Sequence, residues 1–319
     1  MSRIRVCFLG TPHFAEVHLQ ALLSDPQFEV VGVVTQPDRP AGRKMQLTPS
    51  PVKQKAFGAS IPVLTPENLR KEPDVFEQIK NWKADVAVVV AFGQILSQEF
   101  LDSFKFGAVN VHGSLLPRWR GAAPIQRALE AGDRITGVCL QKMVKKLDAG
   151  AIIGERKIEL NESINAVELY DLLAVLGCEL LKQDLPKYVR GEVELREQDE
   201  AQVTYAAKIE KNESELNLNL PAEKIHNKVR AFAMGPGTFL TVGGKRLKIH
   251  KTEVIKTAES ALGPGCVYSV SADELILQAG SGGLKLLEVQ PESKPRMPVS
   301  EFLKAYLSLN RIKKGDRFV

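Results

Sequence analysis

Nothing in the 319 residues pairs the cysteines. Cys7, Cys139, Cys178 and Cys266 stand far apart, none in a C-x-x-C, and each lies among apolar neighbours. That pattern disfavours a metal or thiol site and assigns all four as buried small hydrophobes. No apolar stretch approaches the roughly 20 residues that cross a bilayer. The opening MSRIRVCFLG places basic residues before a short apolar run, as a signal peptide would. The run breaks at Gly10 and Pro12 and no A-x-A-like site follows, so it reads as a first strand. A soluble, cytoplasmic protein without a membrane partner is expected. That strand ends in Gly-Thr-Pro-His-Phe, with one glycine and a proline that removes a backbone donor. A dinucleotide site needs G-x-G-x-x-G at this turn, and the P-loop pattern is also missing, so no nucleotide cofactor is expected.

What is present is ordinary globular material: 44% hydrophobic and 25% charged residues. The length suffices for two domains of roughly 100–200 residues each. The net charge of +5 is unevenly spread. Residues 201–319 hold 18 Lys/Arg against 12 Asp/Glu, whereas residues 1–200 hold 25 against 26. A basic last third suits an anionic partner, or is simply a solvated basic face.

The first half alternates strands and helices. Ile4–Leu9, Glu29–Thr35, Asp85–Ala91 and Gly107–His112 are short, β-branched or apolar runs, with a helical pattern over Phe14–Leu23. Such runs separated by helices predict an α/β domain with a parallel sheet covered on both faces. Ligands of these sheets bind beyond the carboxyl ends of the strands. Gln36–Pro51 is a polar loop with four prolines that carries Arg39, Arg43 and Lys44. Loops this long are usually functional or disordered. A helix over Ile164–Tyr188 closes the domain, and the charged Arg190–Gln202 reads as a linker. The remainder changes character: Thr238–Val242, Lys245–His250, Cys266–Val270, Glu274–Gln278 and Leu284–Val289 are short strands between glycine-rich turns. They suggest a small OB-like β-barrel. Over Lys245–Lys251 the alternation puts Leu247 and Ile249 on one face and Arg246, Lys248 and His250 on the other.

Asn110 and His112 end a predicted central strand. With period two they project to one face, near a carboxyl end. Alone they could be a satisfied buried pair. The run that follows, VNVHGSLLPRWRGAAPIQRAL over 109–129, resembles the signature of the folate-dependent formyltransferases. Its Gly113, Trp119 and Gly121–Gln126 resemble the methionyl-tRNA branch in particular. Leu147-Asp148-Ala149-Gly150 is similar to that family's catalytic aspartate motif, and Gln36–Arg43 to the loop with which it grips tRNA. Gly10-Thr11-Pro12, Pro49–Lys53 and Thr204-Tyr205-Ala206 are further matches.

The resemblance implies a Rossmann-like formyltransferase domain over 1–189, a linker over 190–205 and a tRNA-binding β-barrel over 206–319. It implies transfer of the formyl group of 10-formyltetrahydrofolate to the amine of methionyl initiator tRNA, by a monomer without a metal. Amine attack on the formyl carbon passes through a tetrahedral oxyanion, which needs a donor where charge develops. The Asn110 amide suits that role. His112 can donate to the same oxygen or move the proton, and Asp148 would orient it and favour its charged form. The folate would lie beside Ser114, Leu115, Leu116 and Pro117, with Val89–Ile95 lining the same pocket. Arg43 leads as the tRNA contact, with Lys44 and Arg39 behind it.

Lys146 and Ala149 depart from the family's usual Gly-Leu-Asp-Thr-Gly, which predicts altered tuning of the same reaction. Two rival readings stand beside this one. A relative on the same scaffold could formylate a sugar nucleotide, as Met143–Gly150 partly suggests. A non-catalytic RNA-binding module could carry the catalytic set as a relic.

Overall fold

A computed structural model of the chain describes residues 2–41, 45–256, 262–307 and 312–318. Two compact units emerge. The first comprises Met1–Pro124, Ile135–Glu159 and Tyr170–Ala206; the second comprises Ile125–Arg134, Leu160–Leu169 and Ala207–Val319.

The first unit opens with β1 (Ile4–Gly10), α1 (His13–Leu23) and β2 (Phe28–Val34). A hairpin of β3 (Arg39–Ala41) and β4 (Gln46–Thr48) precedes α2 (Pro51–Gly58) and β5 (Val63–Leu64). Then come α3 (Pro73–Asn81), β6 (Val86–Val90), α4 (Gln98–Asp102), β7 (Ala108–His112) and β8 (Arg120–Gly121). After α5 (Pro124–Ala131), which belongs almost wholly to the second unit, follow β9 (Ile135–Lys142) and β10 (Ile152–Glu159). The long α6 (Ala166–Val189), which belongs to this unit from Tyr170 onward, and the short β11 (Tyr205–Ala206) complete it.

Seven strands form one sheet in the order β10-β9-β7-β6-β1-β2-β5. From β5 to β7 all neighbours are parallel. Here the sequence dictates the outcome: all five residues of β6 and the last five of β1 are buried, as a sheet covered on both faces requires. β9 and β10 are antiparallel additions that the sequence reading did not mark. The chain runs outward from β1 through β2 to β5, then returns to pair β6 with the other side of β1. That reversal is the topological switch point, beside which such sheets hold ligands. β7, with Asn110 and His112, is the next strand over.

The second unit contains α7 (Ala222–Ala231), β12 (Thr238–Val242), β13 (Lys245–Ile255), β14 (Val267–Val270), β15 (Leu275–Gln278), β16 (Gly283–Pro291), β17 (Met297–Pro298) and α8 (Val299–Leu307). Its antiparallel sheet has the order β12-β13-β16-β15-β14, with β17 added on β16. Among the described residues no pair joins β12 to β14, so the expected barrel is present as an antiparallel β unit. Leu247, Ile249, Leu275, Leu277, Leu284 and Leu286 share its core. Arg246 and Lys248 are exposed on the opposite face of β13, as the alternation predicted.

Candidate active site

β7 pairs with β9 in a register that sets Asn110 opposite Gln141 and His112 opposite Cys139. Residues directly opposed across a ladder share a face, so these four side chains lie together. The loop after β9 folds back and sets Asp148 against them. Its Oδ1 accepts from Gln141 Nε2 at 3.0 Å and from Asn110 Nδ2 at 3.5 Å. Its Oδ2 accepts the backbone N–H of Gly121 at 2.9 Å and lies 3.7 Å from His112 Nδ1. His112 is only 5% exposed.

The imidazole is oriented from its far side. His112 Nε2 is 2.8 Å from the Trp119 carbonyl oxygen. A carbonyl only accepts, so Nε2 carries the proton and a neutral ring leaves Nδ1 as the free base facing Asp148. Trp119 is itself fixed, its N–H donating to Thr204 Oγ1 at 2.9 Å. Chain segments converge here because β8 pairs in parallel with β11: Arg120 lies opposite Tyr205 and Gly121 opposite Ala206. Gly121 has φ +122°, and a Cβ there would stand 2.7 Å from the Ala206 carbonyl. Only glycine therefore lets that N–H reach the carboxylate. Asp148 adopts φ +47°, a left-handed conformation that costs most L residues about 1–2 kcal/mol and that aspartate tolerates better.

The structure thus brings Asn110, His112 and Asp148 together. It adds Gln141, which the sequence did not mark, and gives Gly121, read from sequence only as part of the family signature, a direct contact with the carboxylate. Of the turn expected beside the folate, Ser114 is buried and its hydroxyl donates to the Arg118 carbonyl at 2.7 Å. Leu116 packs with Cys139 and Ile152, and its N–H meets Cys139 Sγ at 3.4 Å. What the turn leaves accessible is the half-buried Leu115 and Pro117. Ile95, from the segment expected to line the same pocket, is 74% exposed. The departing Lys146 does not point a free cation at the carboxylate: its Nζ pairs with Glu200 at 2.6 Å.

The base of the Gln36–Pro51 loop is clamped. Asp38 pairs with Lys53 Nζ at 2.8 Å, and Thr35 Oγ1 bonds Ser50 Oγ at 2.8 Å. Ser50 also caps α2, accepting the Lys53 N–H at 3.0 Å, with Pro51 at the first helical position. Arg39 is exposed and pairs with Glu67 at 3.1 Å. Arg43 and Lys44 lie outside the described residues.

Comparison with known proteins gives the family. The formyl transferase family matches residues 2–185, and its C-terminal domain matches residues 208–307. The chain belongs to the formyltransferase family. A relative from Bdellovibrio bacteriovorus, named methionyl-tRNA formyltransferase, is 56% identical and covers 99% of both chains. Another of that name, from Symbiobacterium thermophilum, is 43% identical over 94% of this chain and 92% of its own. Among solved structures, the N-formyltransferase of Helicobacter canadensis, in complex with folinic acid and dTDP-3-aminofucose, superposes with a TM-score of 0.68. It is 20% identical, over 90% of this chain and 99% of its own, and that likeness bears on the formyltransferase fold alone.

Proposed function

We propose that this formyltransferase moves the formyl group of 10-formyltetrahydrofolate onto the free α-amino group of methionyl initiator tRNA. The observation that carries the reading is the Asp148 carboxylate, gathered by Gly121, Gln141 and Asn110 beside Nδ1 of His112. The amine nitrogen attacks the formyl carbon, and the carbonyl π pair moves to oxygen as the tetrahedral intermediate forms. The Asn110 NH₂ donates to that oxyanion. Nδ1 takes the proton released by the amine, and Asp148 stabilises the resulting imidazolium. When the oxyanion collapses, the bond from carbon to the folate nitrogen breaks and that nitrogen receives the proton. The products are a formamide and tetrahydrofolate, with no net change in protons.

Direct attack needs no metal, nucleotide or covalent enzyme intermediate. The thiols suit this, since burial pushes Cys139 up to about 12 and Cys178 to about 11. The folate lies beside Leu115 and Pro117, with Ser114 and Leu116 holding the turn from within. For the tRNA, Arg43 leads, with Lys44 and Arg39, and the basic residues of 206–319 track its backbone with salt-sensitive affinity. We take the protein as a monomer, and this role in translation belongs in the cytoplasm. No helix among the described residues is long and apolar enough to cross a membrane.

The test is acceptor choice. The reading expects transfer to methionyl initiator tRNA that weakens as salt rises, and none to a nucleotide-linked amino sugar. Salt-independent transfer to the sugar alone would overturn it.

A further inference from the structure

The chain between α6 and β11, expected to be a linker, enters the first unit and supports the catalytic loop. Gln198 is its most telling residue. Its Nε2 donates to two carbonyls of that loop, Asp148 O at 2.8 Å and Gly150 O at 2.7 Å. Its Oε1 accepts twice from one guanidinium, Arg120 Nε at 3.0 Å and Nη2 at 2.8 Å. A carboxamide can usually be turned over, but this one cannot. The guanidinium has only donors and so fixes which end is oxygen, and the two carbonyls require the NH₂. Arg120 is fully buried, held by Glu200 at 2.9 Å, and directly precedes the Gly121 whose N–H reaches the Asp148 side chain. The loop is thus gripped twice from one place: Gln198 takes the backbone of Asp148, and Gly121 takes its carboxylate. Asp148 sits at φ +47°, away from the wells an L residue prefers, so release of its carbonyl would let the carboxylate turn from His112.

We infer that Gln198 is a positioning residue for the transfer: with Arg120 fixing its amide, it holds the Asp148 turn so that the carboxylate stays aimed at His112 Nδ1. It touches neither substrate, so its loss lowers kcat and spares both KM values. The inference rests on Asp148 acting in the reaction proposed above.

The decisive variant is Gln198→Glu. A carboxylate still pairs with Arg120 and keeps the size, yet turns an acceptor toward the two loop carbonyls. We expect kcat to fall at least tenfold, with KM for formyl-folate and for methionyl-tRNA within twofold and the thermal midpoint little changed. In an Asp148→Ala background the same substitution should alter the residual rate by less than twofold, because residues acting as a unit are not additive. An unchanged kcat, a rise in KM alone, or an equal loss in the Asp148→Ala background would overturn the inference. If Gln198→Glu does not fold, Gln198→Asn carries the same cycle with a neutral, shorter amide. Failure of both to fold makes Gln198 a scaffold residue and overturns the assignment too. Full transfer by Asp148→Ala itself would sink the reading of the centre along with this one. A centre that needs Asp148 and ignores Gln198 would sink the inference alone.

Discussion

Replacing Asp148 by asparagine removes one charge and almost no volume, and the surroundings state how that separates catalysis from stability. Oδ2 stands 3.7 Å from His112 Nδ1, with both side chains largely buried. At an effective dielectric near 20, a full charge pair at about this distance is worth about 4 kcal/mol. Losing it at the imidazolium-forming step predicts a fall in kcat of about a thousandfold. The fold should suffer far less. With its NH₂ in the Oδ1 position, the new carboxamide would lose the long contact from Asn110 Nδ2 and face Gln141 Nε2, but Gln141 can turn over, because its Oε1 is buried without a partner among the described residues. The Gly121 N–H then still meets an oxygen. We expect a stability loss of no more than about 2 kcal/mol, the scale of a weakened buried hydrogen bond or two. Single-turnover formyl transfer measures the first quantity and urea unfolding the second. A fall in kcat of less than tenfold would refute the electrostatic role given to the carboxylate. A large stability loss would show that the carboxylate is chiefly a structural hub.

Three further outcomes are expected. Gly121→Ala forces a Cβ to 2.7 Å from the Ala206 carbonyl at φ +122° and pulls the N–H from Asp148; a cost of about 1–3 kcal/mol in urea unfolding should accompany a fall in kcat, and wild-type values in both would refute the geometry. His18 is buried, its Nδ1 2.6 Å from the Phe14 carbonyl and its Nε2 facing Gly177, and burial lowers its pKa to about 4. Because the unfolded chain binds this proton more readily, stability is full above about pH 6.5 and falls as pH drops toward 4, by up to about 3 kcal/mol. Unfolding profiles of wild type and His18→Gln with the same slope between pH 6.5 and 4.5 would contradict that. Arg43→Leu should raise KM for methionyl-tRNA and leave folate binding intact, whereas equal loss of both would remove Arg43 from the tRNA contact.

The sheet was legible where burial on both faces leaves near-continuous apolar runs, as in β1, β2 and β6. β10 was not, because Gly-Glu-Arg-Lys-Ile-Glu over 154–159 is that of an edge strand with one wet face. In the site, period-two spacing showed that Asn110 and His112 share a face at a strand end, while their candidate roles and Asp148 came from family resemblance. Gln141 and Gln198 were not, since nothing local marks a glutamine whose partner lies seven or fifty residues away. Nor could spacing reveal that Ser114 and Leu116 face inward while Leu115 and Pro117 stay accessible. The charged stretch after α6 looked like a connector because its partners are the carbonyls and the guanidinium of other segments, which composition does not record.

The most direct test follows labelled formyl from 10-formyltetrahydrofolate in single turnover with methionyl initiator tRNA, comparing wild type with Asn110→Ala. The account predicts label on the aminoacyl-tRNA, none on uncharged tRNA, and a rate lower by about 10²–10³ without the Asn110 donor. Undiminished transfer by Asn110→Ala, or label reaching uncharged tRNA equally well, would contradict it.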